Sequence, residues 1–168
     1  MIKTGLLAGG RLWDRVVEAE RPAAADLPEL VFGCARFKAE VVAADERDSG
    51  RRAILNLGHT VGHAIEAATG YSRYRHGEAV ALGLLAALRL SDAEDLRGQV
   101  AKMLAGVGLP TSIAEPLEPD AVIEAVGRDK KRDADGVRFV LLSQPGEPRE
   151  GERVAPGRVK AAIEELIG

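Results

Sequence analysis

The chain has 168 residues, of which 46% are hydrophobic and only 4% aromatic, and its formal net charge is −3. This length suits a single domain over residues 1–168, and a core of aliphatic side chains suits packed helices better than a sheet. The charge balance excludes a basic surface for nucleic acid, and one cysteine excludes an internal disulfide framework. No apolar run is long enough to cross a bilayer and no signal peptide is recognisable, so we expect a cytoplasmic protein without membrane contact.

The first third of the chain predicts helices. Residues 1–17 form one helix that is interrupted at Gly9–Gly10, because glycine disfavours helical backbone. An Ala/Pro linker at 21–28 leads to a second helix at 28–46, whose apolar residues recur with a period of 3.6. A polar turn at 45–50 ends this helix.

The middle of the chain predicts the core. Residues 61–68 are good helix formers without proline. Residues 79–90 are apolar nearly all round, which predicts a central buried helix. Ser91–Asp92 is expected to cap the helix that follows. This helix is expected to end at Gly108-Leu109-Pro110.

The last third predicts a short β element between two helices. A short helix opens at Pro119 and runs to about residue 126, and residues 137–142 are the only convincing strand. A turn at 144–148 follows, and residues 156–167 form an amphipathic closing helix. We therefore predict a mainly α fold with a small β element near the C-terminus.

All three histidines lie within residues 51–80. His59 and His63 are four residues apart in a helical stretch, so they share one face, and His76 follows a loop from which it can return over the pair. Convergent imidazoles are typical of a site for a divalent metal such as zinc. Thr60 stands where a zinc protease of the His-Glu-x-x-His type needs glutamate, which disfavours that class. The competing interpretation is three ordinary histidines with local hydrogen bonds.

Several cationic side chains suggest an anion site. Lys130 and Lys131 belong to a charged loop that is either a solvated cluster or a phosphate contact. Arg52 and Asn56 lie just upstream of the histidines, and the pattern around Lys38 alone indicates a surface lysine. Together with a metal, these residue types would suit a small, oxygen-rich, negatively charged substrate.

At these residues the sequence resembles the C-terminal, mainly helical domain of 3-dehydroquinate synthase. The resemblance runs essentially from end to end, and its motifs stand in the order and spacing of that family. The pair of histidine motifs is far more specific than a generic His-x-x-x-His. The segments that carry it are IKTGLLAG, FKAEVVAADERDSGRRAILNLGHTVGHAIE, YRHGEAVALGLL and DKKRDADGVRFVLL.

The resemblance implies an activity and its cofactors. The family converts a seven-carbon keto-sugar acid phosphate to 3-dehydroquinate in the shikimate pathway, with loss of phosphate and ring closure. It uses NAD and a divalent metal, zinc or cobalt. A homodimer is expected for the full-length family.

The resemblance also implies roles for single residues. Two of the histidines would be metal ligands, and one lysine of the charged loop, preferably the first, would meet phosphate or carboxylate. The remaining residues would contact substrate, and this overturns the surface interpretation of Lys38. The implied metal ligands are His59 and His76; the implied substrate contacts are Lys3, Lys38, Arg52, Asn56, His63 and one of Lys130 and Lys131, with Lys38, Arg52 and His63 as catalytic residues.

The sequence departs from the family pattern in two ways. The third metal ligand of the family is a glutamate directly before Met1, and no glycine-rich dinucleotide loop follows a strand in these residues. We therefore expect two of three ligands, no NAD site and no catalysis by the isolated chain. It would be a domain fragment, a truncated reading frame, or half of an enzyme that another chain or an N-terminal NAD-binding domain completes. Two alternatives are a fragment of a related sugar-phosphate cyclase and a non-catalytic helical interaction module or remnant.

Overall fold

The computed structural model describes residues 1–19, 26–44, 51–113, 117–128 and 137–167. These ranges hold α-helices, one 3-10 helix and a two-stranded sheet near the C-terminus, which confirms the predicted mainly α fold. The helices are α1 (Ile2–Ala8), α2 (Gly10–Glu18), α3 (Leu27–Ala44), α4 (His59–Ala68), α5 (His76–Leu90), α6 (Glu94–Gly106), α7 (Pro119–Arg128) and α8 (Pro156–Ile167), with the 3-10 helix at Arg51–Asn56 and strands β1 (Arg138–Leu142) and β2 (Pro148–Arg153).

The predicted break between the first two helices is confirmed at Gly9. Its φ of 64° is left-handed, and a side chain there would lie 2.8 Å from the backbone nitrogen of Gly146. That nitrogen also donates a hydrogen bond of 2.8 Å to the Leu6 carbonyl oxygen. The C-terminal end of α1 is therefore attached to the turn between the two strands.

The predicted central helix is confirmed in α5. Every residue from 79 to 88 is buried, and the helix packs against α4, α6, α8 and β1. Aliphatic burial on all sides stabilises such a helix by about 25 cal/mol for each Å² of apolar surface removed from water. Although α5 is apolar all round, neither it nor any other described helix has both the length and the apolarity needed to span a membrane.

Glycines bring the backbones of α4 and α5 into direct contact. A side chain at Gly83 would overlap the carbonyl oxygen of Gly58 and lie 2.8 Å from the nitrogen of Gly62. A side chain at Gly62 would in turn lie 3.1 Å from the carbonyl oxygen of Ala79. Because His59 is the first residue of α4, this close crossing fixes its position relative to α5.

The prediction that Ser91–Asp92 caps the next helix is wrong. Helix α6 begins at Glu94 and has no side-chain cap. The Ser91 hydroxyl instead donates to the Ala87 carbonyl oxygen at 2.6 Å and accepts from the backbone nitrogen of Leu142 at 2.8 Å. Ser91 is buried, so water does not reach this part of the chain. Its hydroxyl therefore satisfies the backbone N–H of Leu142 in β1.

The β element contains a second strand that the sequence did not predict. Strand β2 pairs antiparallel with β1 and begins at Pro148, where only a turn was expected. Residues 139–142 of β1 are buried, whereas β2 is mostly exposed. Hydrogen bonding to β1 imposes the extended backbone on a segment whose own composition, PREGER, is polar and favours no strand.

Candidate metal and anion site

The three histidines converge although they come from two helices. Ring centroids lie 5.3 Å apart for His59 and His63, 5.4 Å for His59 and His76, and 5.8 Å for His63 and His76. One nitrogen from each ring lies within 4.8 Å of the other two. Two nitrogens bound to one cation at about 2.0–2.1 Å are at most about 4.2 Å apart, so a small movement of the rings would bring them onto one cation.

His59 has one ring nitrogen facing a backbone carbonyl oxygen. Its Nδ1 lies 3.2 Å from the Leu57 carbonyl oxygen, which can only accept, so Nδ1 carries the proton and Nε2 has a free lone pair. Burial, and then the positive charge of Lys3, lower the pKa of His59 from 6.5 to about 4. The ring is therefore neutral at pH 7, which is the form that binds metal.

His76 is held by a carboxylate. It is the first residue of α5, and its Nδ1 lies 3.2 Å and 3.4 Å from the two carboxylate oxygens of Glu66. An ionised carboxylate can only accept, so Nδ1 is again the donor and Nε2 remains available. The sequence analysis missed Glu66, although its spacing of seven residues from His59 and three from His63 places it on the same face of α4.

Lys3 on α1 and Lys38 on α3 are close enough for their positive charges to interact. Lys3 on α1 donates a hydrogen bond of 2.8 Å to the Leu55 carbonyl oxygen. Burial, and then the charge of Lys38 on α3, lower the pKa of Lys3 from 10.5 to about 8. A bound anion would relieve this repulsion, so the pair has the electrostatics of an anion site.

A cavity of about 450 Å³ adjoins the histidines and is lined by Lys3, His59 and His76. The rest of its lining is mainly aliphatic, with Val80 and Leu84 of α5 and Leu104 of α6 among the residues. Polar groups at one end of an apolar cavity are typical of small-molecule sites. The structure thus places two of the predicted ligands and one predicted substrate lysine on one cavity.

Among the described residues that were predicted to contact substrate, only Lys3 and none of Lys38, Arg52, Asn56 and His63 lines this cavity. Arg52 and Asn56 are exposed on the 3-10 helix, which packs against α3, the helix that carries Lys38. His63 is exposed on α4 beside the two other histidines. Lys130 and Lys131 lie outside the described residues, so the prediction for this pair stays a prediction.

The donor set fits a zinc-class divalent cation. Imidazole nitrogens are ligands that zinc and cobalt prefer. In two of the three rings the distal nitrogen is fixed by a carbonyl or carboxylate oxygen, which is the usual support of a metal-binding histidine. The neutral state of His59 removes proton competition at that ligand near pH 7.

Comparison with known proteins identifies the family. The family model described as 3-dehydroquinate synthase C-terminal matches residues 1–132. The chain belongs to the 3-dehydroquinate synthase family. The match is to the C-terminal domain of 3-dehydroquinate synthases, as the motifs predicted.

Curated relatives agree with this membership. The chain is 42% identical over 155 residues to the 3-dehydroquinate synthase of Legionella pneumophila subsp. pneumophila strain Philadelphia 1, covering 87% of this chain and 42% of that protein. It is 41% identical over 177 aligned positions to the 3-dehydroquinate synthase of Gloeobacter violaceus, covering 100% of this chain and 49% of that protein. The chain therefore spans less than half the length of these two 3-dehydroquinate synthases.

Solved structures share the fold at lower sequence identity. A 2-deoxy-scyllo-inosose synthase complexed with carbaglucose-6-phosphate, NAD+ and Co2+ matches with a TM-score of 0.77 and 23% identity over 99% of this chain and 50% of that chain. The 2-epi-5-epi-valiolone synthase ValA from Streptomyces hygroscopicus subsp. jinggangensis 5008, with NAD+ and Zn2+ bound, matches with a TM-score of 0.78 and 20% identity over 98% and 48%. At these sequence identities the comparison with the two solved structures shows a shared fold alone.

Proposed function

We propose that the chain is the metal- and substrate-binding part of a 3-dehydroquinate synthase, which eliminates phosphate from a seven-carbon keto-sugar acid phosphate and closes the carbon ring. The observation that carries this proposal is the convergence of His59, His63 and His76, two of which, His59 and His76, line a cavity together with Lys3. Family membership over residues 1–132 indicates the reaction in which such a site would take part.

His59 and His76 are the proposed metal ligands, with water and a glutamate preceding Met1 as the further ligands that the family pattern implies. Both rings have Nδ1 facing a protein acceptor and Nε2 free. A bound zinc or cobalt ion would supply Lewis-acid polarisation of a substrate oxygen. His63 is the more exposed partner of His59 and is proposed to contact substrate or its phosphate group.

Lys3 and Lys38 are the proposed anchor for the negative charge of the substrate. The two cations repel one another in the free protein, and an anion between them would be held by both. Arg52 and Asn56 on the neighbouring 3-10 helix, and one of Lys130 and Lys131, would complete the contacts to carboxylate and phosphate oxygens. Such contacts hold the substrate in one orientation during phosphate loss.

The NAD that the family uses is proposed to bind an N-terminal domain, in the same polypeptide or in a partner chain. In the part of the chain that is described, β1 and β2 form an antiparallel hairpin, whereas a dinucleotide site needs parallel strands with a helical crossover. We therefore assign no part of the hydride chemistry to the residues described.

A related sugar-phosphate cyclase is the second candidate, because the two solved structures that share the fold are a 2-deoxy-scyllo-inosose synthase and a 2-epi-5-epi-valiolone synthase. Their identities of 23% and 20% are well below the 42% shared with a 3-dehydroquinate synthase, so we prefer the latter. A non-catalytic helical module would need none of the site residues. Under that alternative, the chain should bind neither metal nor anion.

Turnover is expected when an N-terminal NAD-binding domain is joined to the chain. The N-terminal domain of the Gloeobacter violaceus relative, joined so that a glutamate stands directly before Met1, should give NAD-dependent release of phosphate from the seven-carbon substrate. The matched fusion with His59→Ala should lose at least about 100-fold in rate, since it lacks a metal ligand. A well-folded fusion that acts only on a hexose phosphate supports the second candidate, and one without any turnover contradicts an enzymatic role.

Sulfate binding should weaken as Lys3 loses its proton. Its pKa of about 8 places this loss between pH 7 and 9, and only the protonated amine attracts an anion. Sulfate keeps its charge over this range, so its dissociation constant should rise about tenfold between these pH values. Isothermal titration of the wild type and of Lys3→Met measures the effect.

The control is Lys160→Met, because Lys160 lies on α8 and pairs with Asp120 at 3.2 Å. This variant should bind sulfate like the wild type, whereas Lys3→Met should bind weakly at every pH. An unchanged pH profile in Lys3→Met would remove Lys3 from the anion site.

A further inference from the structure

We propose that Glu66 is a positioning residue for the metal site: its carboxylate fixes the tautomer and the orientation of the His76 ring. This inference rests on the proposed metal-binding function. It concerns a residue to which the sequence analysis gave no role.

The first argument is burial. Glu66 is only 8% exposed, and Glu66 and Ser91 are the buried polar side chains in the described part of the chain. Burying a carboxylate costs free energy unless it is paired, so an acidic residue is rarely found in such a place without a partner. The partner here is the Nδ1–H of His76, at 3.2 Å and 3.4 Å from the two oxygens.

The second argument is the exposure of His76 itself. The His76 side chain is 59% exposed, so packing does little to fix the direction of its ring. His59, in contrast, is partly buried and is also held by the Leu57 carbonyl oxygen. Of the two proposed ligands, His76 therefore depends more on a hydrogen bond to keep Nε2 in one direction.

The third argument is electrostatic. His76 is the first residue of α5, and the N-terminus of a helix carries a partial positive charge that disfavours a bound cation. The negative charge of Glu66 beside it offsets this field. A carboxylate bonded to the distal nitrogen also makes an imidazole a stronger donor to metal.

The test compares Glu66→Ala and Glu66→Gln with the wild type and with Glu164→Gln, a control for an exposed carboxylate on α8. Nitrogen-15 spectra of the imidazoles, recorded without metal, should show His76 as the Nδ1–H tautomer in the wild type. In Glu66→Ala the same ring should become a mixture of the two tautomers. This readout does not depend on metal binding or turnover.

Competition with a chelating dye gives the zinc affinity. Glu66→Ala should bind zinc about 10–100-fold more weakly, and Glu66→Gln about tenfold more weakly, because the amide oxygen keeps the hydrogen bond but not the charge. The visible absorption of the cobalt-loaded protein should change in Glu66→Ala and stay as in the wild type in Glu164→Gln.

Four outcomes decide the proposal. An unchanged His76 tautomer together with unchanged zinc affinity in Glu66→Ala overturns it. If that variant does not fold, Glu66→Leu replaces it, because leucine fills the buried position without a hydrogen-bond acceptor, and the same pair of unchanged results then overturns the proposal. If zinc binding depends on His76 but not on Glu66, the positioning role of Glu66 is refuted and the metal site is not. If zinc binding is unchanged in His76→Ala, the proposed metal site itself is refuted.

Discussion

Gly83→Ala is expected to be strongly destabilising although alanine is the better helix former. The added methyl group would overlap the Gly58 carbonyl oxygen and crowd the nitrogen of Gly62, both of which are backbone atoms that cannot rotate away. Separating α4 from α5 should cost about 3 kcal/mol, which exceeds the gain of about 1 kcal/mol in helix propensity. Thermal unfolding should therefore shift downward by roughly 6 °C.

The matched control is Gly98→Ala in α6. No atom lies within 4 Å of the position that its side chain would take, and Gly98 is exposed within the helix. This substitution should stabilise the protein by up to about 1 kcal/mol. Equal melting temperatures for Gly83→Ala and the wild type would show that the two helices are not in backbone contact. Because the crossing positions His59 against α5, Gly83→Ala should also weaken zinc binding.

Removal of His59 or His76 is expected to have the largest effect on metal binding. Each of the substitutions His59→Ala and His76→Ala leaves one of the two proposed ligands, so zinc affinity should fall at least about 100-fold, and the double variant should not bind. Binding by the wild-type chain should itself be weak, since two protein ligands and water hold the ion. Titration against a chelating dye measures all of these affinities.

His63→Ala discriminates between the three imidazoles of the cluster. If His63 contacts substrate rather than metal, its loss should change zinc affinity by no more than about twofold while sulfate affinity falls. A fall in zinc affinity as large as that of His59→Ala would make His63 a ligand and correct the role that the family resemblance implies. Equal zinc binding by the wild type and the double variant would exclude a metal site on these histidines.

The helices could be predicted from sequence because their apolar residues repeat with the helical period. The apolar run that became α5 and the glycine pair that separates α1 from α2 are local features, and local chemistry determines them. The convergence of the histidines also had a local basis. His59 and His63 share a helix face, and His76 begins the next helix after a short loop.

Features that depend on partners distant in sequence could not be predicted. The segment PREGER becomes a strand only because β1 offers it hydrogen bonds. Ser91 was predicted to cap a helix, but its hydroxyl accepts a hydrogen bond from the backbone nitrogen of Leu142. No role was predicted for Glu66, and the return of His76 onto α4 brings its imidazole against the carboxylate.

Lys38 illustrates the same limit at the anion site. The periodicity of α3 indicated a surface lysine, and the side chain is indeed exposed. Its effect on the pKa of Lys3 arises from the packing of α1 against α3, which the pattern of either helix alone does not contain. Only the family resemblance predicts that Lys38 contacts substrate.

The attachment of α1 to the hairpin turn has a consequence for where the domain ends. The family model covers residues 1–132, yet Gly146 lies against Gly9 and binds the Leu6 carbonyl oxygen. Lys3 belongs to the same short helix, α1. The hairpin near the C-terminus therefore supports the helix that carries this N-terminal lysine. A version trimmed to residues 1–132 would keep both proposed histidine ligands and would lose the contact that supports the helix of Lys3.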